Sequence, residues 1–304
     1  MKTGEMMNFF SGEQLLDLCK KHELEIWQVM LKRELENSGR TEEEIYAQIE
    51  HSLEVMFHSI DQGLATYDRS LGGLLTGQSK KLFEELGEEK FYLPDRTLRV
   101  VAYAMAVMEC NARMGVIVAA PTAGSSGILP AVLKDAKETM ALSTQKLIEA
   151  FLTAGAVGLI VMKNASVSGA QGGCQAEIGT STAMSAAALV HLKGGNVRQC
   201  LDAASFAYKN IMGLVCDPIA GLVELPCAKR NGLGVLNAML CADLALLDVR
   251  SVVPFDEVVD AMNNVGNTMP VAMRETALGG LAATPTAKRI EHDLFSNSEL
   301  GKRR

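Results

Sequence analysis

The chain has 304 residues, 48% hydrophobic and 21% charged, enough to bury a large core without help from a metal or a disulfide. Its net charge of −7 and isoelectric point near 5.4 leave no basic field of the kind that nucleic acids or anionic membranes attract, so neither is expected as a partner and a small-molecule enzyme is. Residues 1–10 show no long apolar run ending in a small-residue cleavage site, so the expected compartment is the cytoplasm and the seven cysteines are expected as thiols, metal ligands or core residues.

The first 95 residues read as peripheral amphipathic helices. Two capping boxes, Ser11 with Gln14 and Thr41 with Glu44, each precede an apolar helical pattern. After Thr41, the residues Ile45, Ile49, Leu53, Met56 and Ile60 step by four, four, three and four and fall on one helical face. The glycine-rich text DRSLGGLLTGQ, Asp68 to Gln78, predicts a loop, and Lys80 to Glu89 another exposed helix.

From Arg99 onward charges thin out and Ala, Gly, Ser and Met accumulate. Met114 to Leu133 runs 20 residues without a charge, the length that spans a bilayer. Pro121 and Pro130, three glycines and two adjacent serines break it, so it reads as buried backbone around a loop. Ala150 to Met162 and Ile178 to Leu192 lack the β-branched alternation of strands and are long enough for helices whose small residues let neighbouring backbones approach. No hairpin signal or internal repeat appears. The expectation is a mainly α single domain over residues 1–304, with a core at 96–290 and a polar, frayed tail at 291–304.

Three cysteines keep unusual company: Cys174 in SGAQGGCQAEIG, Cys216 in GLVCDPIAG and Cys227 in VELPCAKRNG. Gly172 and Gly173 remove bulk before Cys174, and Pro218 and Pro226 place the other two on rigid turns where free amides lower thiolate pKa. Their spacings, 42 and 11, match no compact CxxC signature, so spacing alone leaves open three buried thiols beside loops. Cys19, Cys110, Cys200 and Cys241 lie in ordinary helical patterns, as small hydrophobes do. The Thr122-Ala123-Gly124-Ser125-Ser126-Gly127 segment, just before an apolar run, describes either a helix N-terminus able to hold a carboxylate or a tightly packed capped turn. Lys163-Asn-Ala-Ser-Val-Ser168-Gly leads into the Cys174 loop with two hydroxyls and a cation.

Taken in order, PTAGSSGILPAVL, NASVSGAQGGCQAEIGT, GLVCDPIAGLVELPCAKRNG and MPVAMRETALGGLAATPTAK resemble the alpha chain of bacterial iron–sulfur L-serine dehydratases, strongly from about Val101 to Lys288. The resemblance implies a helical catalytic domain around a loop-held iron–sulfur site. Its cofactor would be a [4Fe–4S] cluster on Cys174, Cys216 and Cys227, with one iron that no cysteine ligates. It also implies elimination of water from L-serine to give pyruvate and ammonia. Substrate contacts are expected from Thr122, Ala123, Gly124, Ser125, Ser126, Gly127 and Lys163. For the base, Ser125, Ser126 and Ser168 are the leading candidates, with Ser166 and His191 behind them. His191, in an apolar stretch, reads rather as a satisfied core histidine. Glu177 and Asp217 adjoin ligand cysteines and are expected to orient backbone. Single-chain members fuse a second, smaller domain, so a separate beta chain is the expected partner here. Two rival readings stand beside this one: a pyridoxal-phosphate ammonia-lyase built on Lys163, and a non-catalytic metal or redox sensor.

Overall fold

A computed structural model describes residues 7–296; the flanking residues, among them 297–304 of the tail expected to fray and the first six of the stretch searched for an export signal, lie outside the described residues. Within it are thirteen α-helices, four short 3-10 turns and no strand, which bears out the mainly α reading. Among the described residues the one isolated β-bridge joins Cys216 to Arg274.

Helix α1 is Gly12–His22. Ser11 caps it by accepting from Gln14 N at 3.1 Å, but the Gln14 side chain returns to Phe10 N at 2.7 Å, one residue short of the expected box. Helix α2, Ile26–Ser38, carries a capping box that the sequence reading missed, Glu25 with Gln28. In α3, Glu42–Ala65, the Thr41–Glu44 box closes in both directions, and all five expected apolar positions are buried. Each such side chain contributes about 1.5–3 kcal/mol when withdrawn from water. Helix α4 is Gln78–Glu84 rather than 80–89: it starts beyond Gly77 at φ 82 and ends before the turn that holds Gly87 at φ 94.

The inner layer consists of α5 (Asp95–Ala112), α6 (Ile128–Met140), α7 (Thr144–Asn164), the single turn α8 (Gly169–Gly172), α9 (Cys174–Leu192), α10 (Val197–Lys209) and α11 (Cys227–Leu246). Helix α9 is its axis, buried without interruption from Cys174 to Ala188 and packed by α6, α7, α10 and α11. Small residues make this possible: a Cβ on Gly179 would lie 2.8 Å from the Tyr208 ring. As expected, the uncharged stretch after Met114 is irregular until the 3-10 turn Ala123–Ser125 and then enters α6. Among the described residues α7 alone is long and apolar enough to cross a membrane, and 67% of that window is buried inside the protein, as in a core helix.

Helices α12 (Phe255–Thr268) and α13 (Pro285–Ser296) complete the order. Helix α13 continues through residues 291–296, where fraying was expected, because it packs on the turns Ile219–Gly221 and Gly280–Ala283 and carries a 2.8 Å Lys288–Glu291 pair.

Candidate active site

Chain reversals bring the three unusual cysteines to one end of α9. Cys174 is its first residue, and Cys227 is the first residue of α11, behind Pro226. Cys216 sits in extended chain, where its N–H donates to Met273 O at 2.9 Å and its carbonyl accepts from Glu275 N at 2.7 Å. All seven cysteines are free and buried. The Cys174 and Cys216 sulfurs and a Glu177 carboxylate oxygen lie within 4.8 Å of one another. Cys227 stands outside that group, in a small apolar cluster with Leu75, Met108, Ala112 and Ala228.

One guanidinium organises the charge. Arg230 donates from Nη1 to Cys174 Sγ at 3.3 Å and Val215 O at 2.9 Å, and from Nη2 to Asp217 Oδ1 at 2.8 Å. Asp217 Oδ2 in turn accepts from Leu281 N at 2.7 Å, so Asp217 does tie backbone segments together. A hydrogen bond from Cys216, and then the Arg230 charge, hold the Cys174 thiol below its ordinary pKa. The same bond raises Cys216, while burial and then the negative Cys174 raise Cys227. Burial also raises Glu177 and Glu275.

Space at the sulfurs is kept by glycine. A Cβ on Gly169 would lie 2.9 Å from Cys216 Sγ, 3.2 Å from Glu177 Oε2 and 3.3 Å from Glu275 Oε2, so those three atoms converge on one glycine. Gly173, at φ 75, turns the chain into α9 where a side chain would meet Met269 and Leu214 O. Two buried soft sulfur donors and a buried carboxylate, with a cation beside them, form a donor set that fits a metal cofactor held through thiolates.

The Thr122–Gly127 segment folds over this group. Thr122 Oγ1 donates to Glu177 Oε1 and lies 3.0 Å from Ser125 Oγ. Asn231 ties the segment to the third cysteine: it donates to Gly124 O at 2.8 Å and Cys227 O at 2.9 Å, and accepts from Gly127 N at 2.9 Å. Ser126 is fully buried and donates to Ala123 O at 2.8 Å, locking the turn. Ser168 caps α8 on Ala170 N and is approached by Ser166. Lys163 is exposed, with its ammonium 5.8 Å from the centre of the Phe10 ring, in an outer cleft shared with Ser166, Gly172 and Arg274. His191 is on α9 seventeen residues from Cys174, about 25 Å away at 1.5 Å per residue. It is partly buried between Glu25 and Glu149 at 3.7 and 3.6 Å, and burial lowers its pKa.

The sequence reading missed Arg230, Asn231 and Glu275. The first two follow Cys227 by three and four residues, which on a helix returns them to the Cys227 face, so that signal was available. Glu275 arrives only through the pairing of residues 216 and 274 and had no local signal.

Arg230→Met is expected to lower stability by about 3–5 kcal/mol, since it leaves buried Asp217 without its cation and Cys174 Sγ without its donor. Denaturant unfolding checks this, and adding Asp217→Asn to the same chain is expected to recover part of the loss.

The profile of the family described as "Serine dehydratase alpha chain" matches residues 21–282. The chain belongs to the serine dehydratase alpha-chain family. It is 44% identical over 295 residues to the "Probable L-serine dehydratase, alpha chain" of Bacillus subtilis, covering 97% of this chain and 98% of that one. The "L-serine dehydratase, alpha chain" of Peptoniphilus asaccharolyticus is also 44% identical, with 95% and 99% covered. The "L-serine dehydratase" of Helicobacter pylori is 36% identical, but the match covers 91% of this chain and 62% of that longer protein. Relatives named for the lyase reaction thus include some that this chain matches along nearly their whole length and longer ones of which it matches about three fifths.

Proposed function

We propose that this chain is the catalytic alpha chain of an L-serine dehydratase and that Cys174, Cys216 and Cys227 hold its [4Fe–4S] cluster. The observation that carries the reading is the convergence of two family-motif thiols and a carboxylate within 4.8 Å, in a chain matched end to end by relatives of that name. Bound there, a cluster with one iron free of cysteine supplies Lewis acidity toward the substrate hydroxyl.

The chain's own residues do the rest. The hydrogen bond from Cys216 and the Arg230 charge favour the ligating, ionised form of Cys174. Segment 122–127 seats the substrate carboxylate near α6, with its backbone fixed by Asn231 and Ser181. Thr122 has one hydroxyl hydrogen and gives it to Glu177, so Ser125 is the donor in the Thr122–Ser125 contact. Along that row the Ser125 proton passes to Thr122 Oγ1 as the Thr122 proton passes to the Glu177 carboxylate, and Ser125 Oγ takes the proton from the substrate Cα in exchange. Ser126 and Ser168 spend their hydroxyls on local backbone, and Lys163 guides the anionic end of the substrate from the outer cleft. The aminoacrylate released tautomerises and hydrolyses to pyruvate and ammonia. A separate beta chain supplying what the longer relatives carry in one polypeptide, and a cytoplasmic location, belong to the same reading.

Chain purified without oxygen is expected to carry about four irons and four acid-labile sulfides and to form pyruvate from L-serine. Zinc or no metal, or a yellow chromophore discharged by borohydride, favours the sensor or the pyridoxal-phosphate reading instead.

A further inference from the structure

The cations near the three cysteines are all engaged, and two carboxylates are left over. Arg230 spends its guanidinium on Cys174, Val215 O and Asp217. Arg274, next to Glu275 in the chain, donates instead to Met269 O at 2.7 Å and Asn267 O at 2.8 Å. Among the described residues neither Glu177 nor Glu275 has an ion-pair partner, and the Glu275 carboxylate accepts no hydrogen bond.

Backbone holds Glu275 where it is. Its N–H donates to Cys216 O at 2.7 Å beside the Cys216–Arg274 bridge, and its φ is 61, a left-handed conformation that few residues other than glycine adopt. So held, it brings Oε2 to the same place as Glu177 Oε2, 3.3 and 3.2 Å from where a Cβ on Gly169 would stand. Glu177 Oε1 is taken by Thr122, which leaves its Oε2 open toward Glu275. Gly124 of the segment 122–127 also lies against Glu177, since a Cβ there would meet its two oxygens at 2.7 and 2.8 Å. Two carboxylate oxygens without a cation, beside a segment suited to an anion, are complementary to a molecule that carries a cation and an anion on one carbon.

Resting on the serine dehydratase reading, the geometry points to Glu275 as the residue that receives the α-ammonium group of the substrate, shared with Glu177 Oε2, and that selects amino acids over carboxylic acids without the amino group. An ammonium has three N–H donors, enough for both oxygens. This meets the one substrate charge that segment 122–127 and Ser125 leave unmet. An acid without the ammonium leaves two facing carboxylates with no cation between them, which their repulsion penalises.

Calorimetry on the iron-loaded full chain tests this with two probes that do not react. L-alanine carries the ammonium and the carboxylate, and propanoate is the same molecule without the ammonium. The unaltered chain is expected to bind L-alanine more tightly than propanoate. Glu275→Gln is expected to weaken L-alanine by about 10–100-fold and to raise KM for L-serine by a similar factor, while propanoate affinity and iron content stay as they were. Glu275→Asp keeps the charge and is expected to recover part of the loss. Equal weakening of both probes overturns the proposal, because the side chain then only shapes the pocket. So does loss of iron from Glu275→Gln, which makes the carboxylate a support of the metal, or a fall in kcat with L-alanine affinity unchanged, which gives it a proton to move. An unaltered chain that neither binds L-alanine nor forms pyruvate from L-serine overturns the dehydratase reading together with the proposal, whereas one that does both while Glu275→Gln keeps its L-alanine affinity overturns the proposal alone.

Discussion

Cys216→Ala is expected to fold, to carry neither iron nor sulfide after purification without oxygen, and to lose pyruvate formation by more than about a thousandfold. The fold should tolerate it because what holds this segment is backbone: Cys216 N on Met273 O and Glu275 N on Cys216 O, both untouched by the substitution. The cost in stability is one buried thiol, about 1 kcal/mol. The cost in ligation is total, since Cys174 and Cys227 alone leave two irons of a four-iron group without protein sulfur. Cys241→Ala is the matched control. Its thiol, pushed up to about 12 by burial and set against Asn237 and Asn210, is a packing group, and iron content should be unchanged when it is removed. Iron, sulfide and pyruvate assays on both chains check the pair of expectations. Full iron in Cys216→Ala ends the three-cysteine reading.

The different settings of those two groups of cysteines were legible in the sequence, because they rest on local company. A thiol after Gly-Gly, or beside Pro218 or Pro226, stands where a helix starts or the chain turns, whereas Cys19, Cys110, Cys200 and Cys241 interrupt no periodic pattern, and all four lie within helices. Helix α3 was legible for the same reason, since its cap and its stripe are both short-range signals. What the sequence hid is non-local. Glu224 gathers Ser70 Oγ, Gly72 N and Leu74 N around one buried carboxylate, docking the glycine-rich loop on the segment that leads to Cys227. Nothing within either stretch announces the other. The end of α4 was misjudged because its charged continuation scores as helix while Gly87 adopts a positive φ that ends it. At residues 291–296 the expected fray gave way in the opposite direction, as polar sequence continues the helix that packs on the turns at 219–221 and 280–283.

Ser125→Ala is expected to lower kcat for L-serine by about 10²–10⁴-fold, the range for a lost proton acceptor, while KM and iron content stay near those of the unaltered chain. The separation follows from what else holds the residue. Its carbonyl accepts from Ser181 Oγ at 3.0 Å, and the neighbouring Gly124 carbonyl accepts from Asn231, so removing Oγ leaves the backbone of the loop in place. Only the row Ser125–Thr122–Glu177 is broken. Thr122→Val breaks the same row at its middle and should fall to a similar rate, whereas Thr122→Ser keeps the hydroxyl and most of the rate. Ser126→Ala removes a hydroxyl bonded to Ala123 O, so it should cost about 1 kcal/mol of stability and little kcat. Steady-state kinetics on the four variants read the pattern. A Ser125→Ala chain that turns over normally while Ser126→Ala does not would assign the proton to the wrong neighbour, and equal losses in both would mean that the loop's shape, not a hydroxyl, limits the rate.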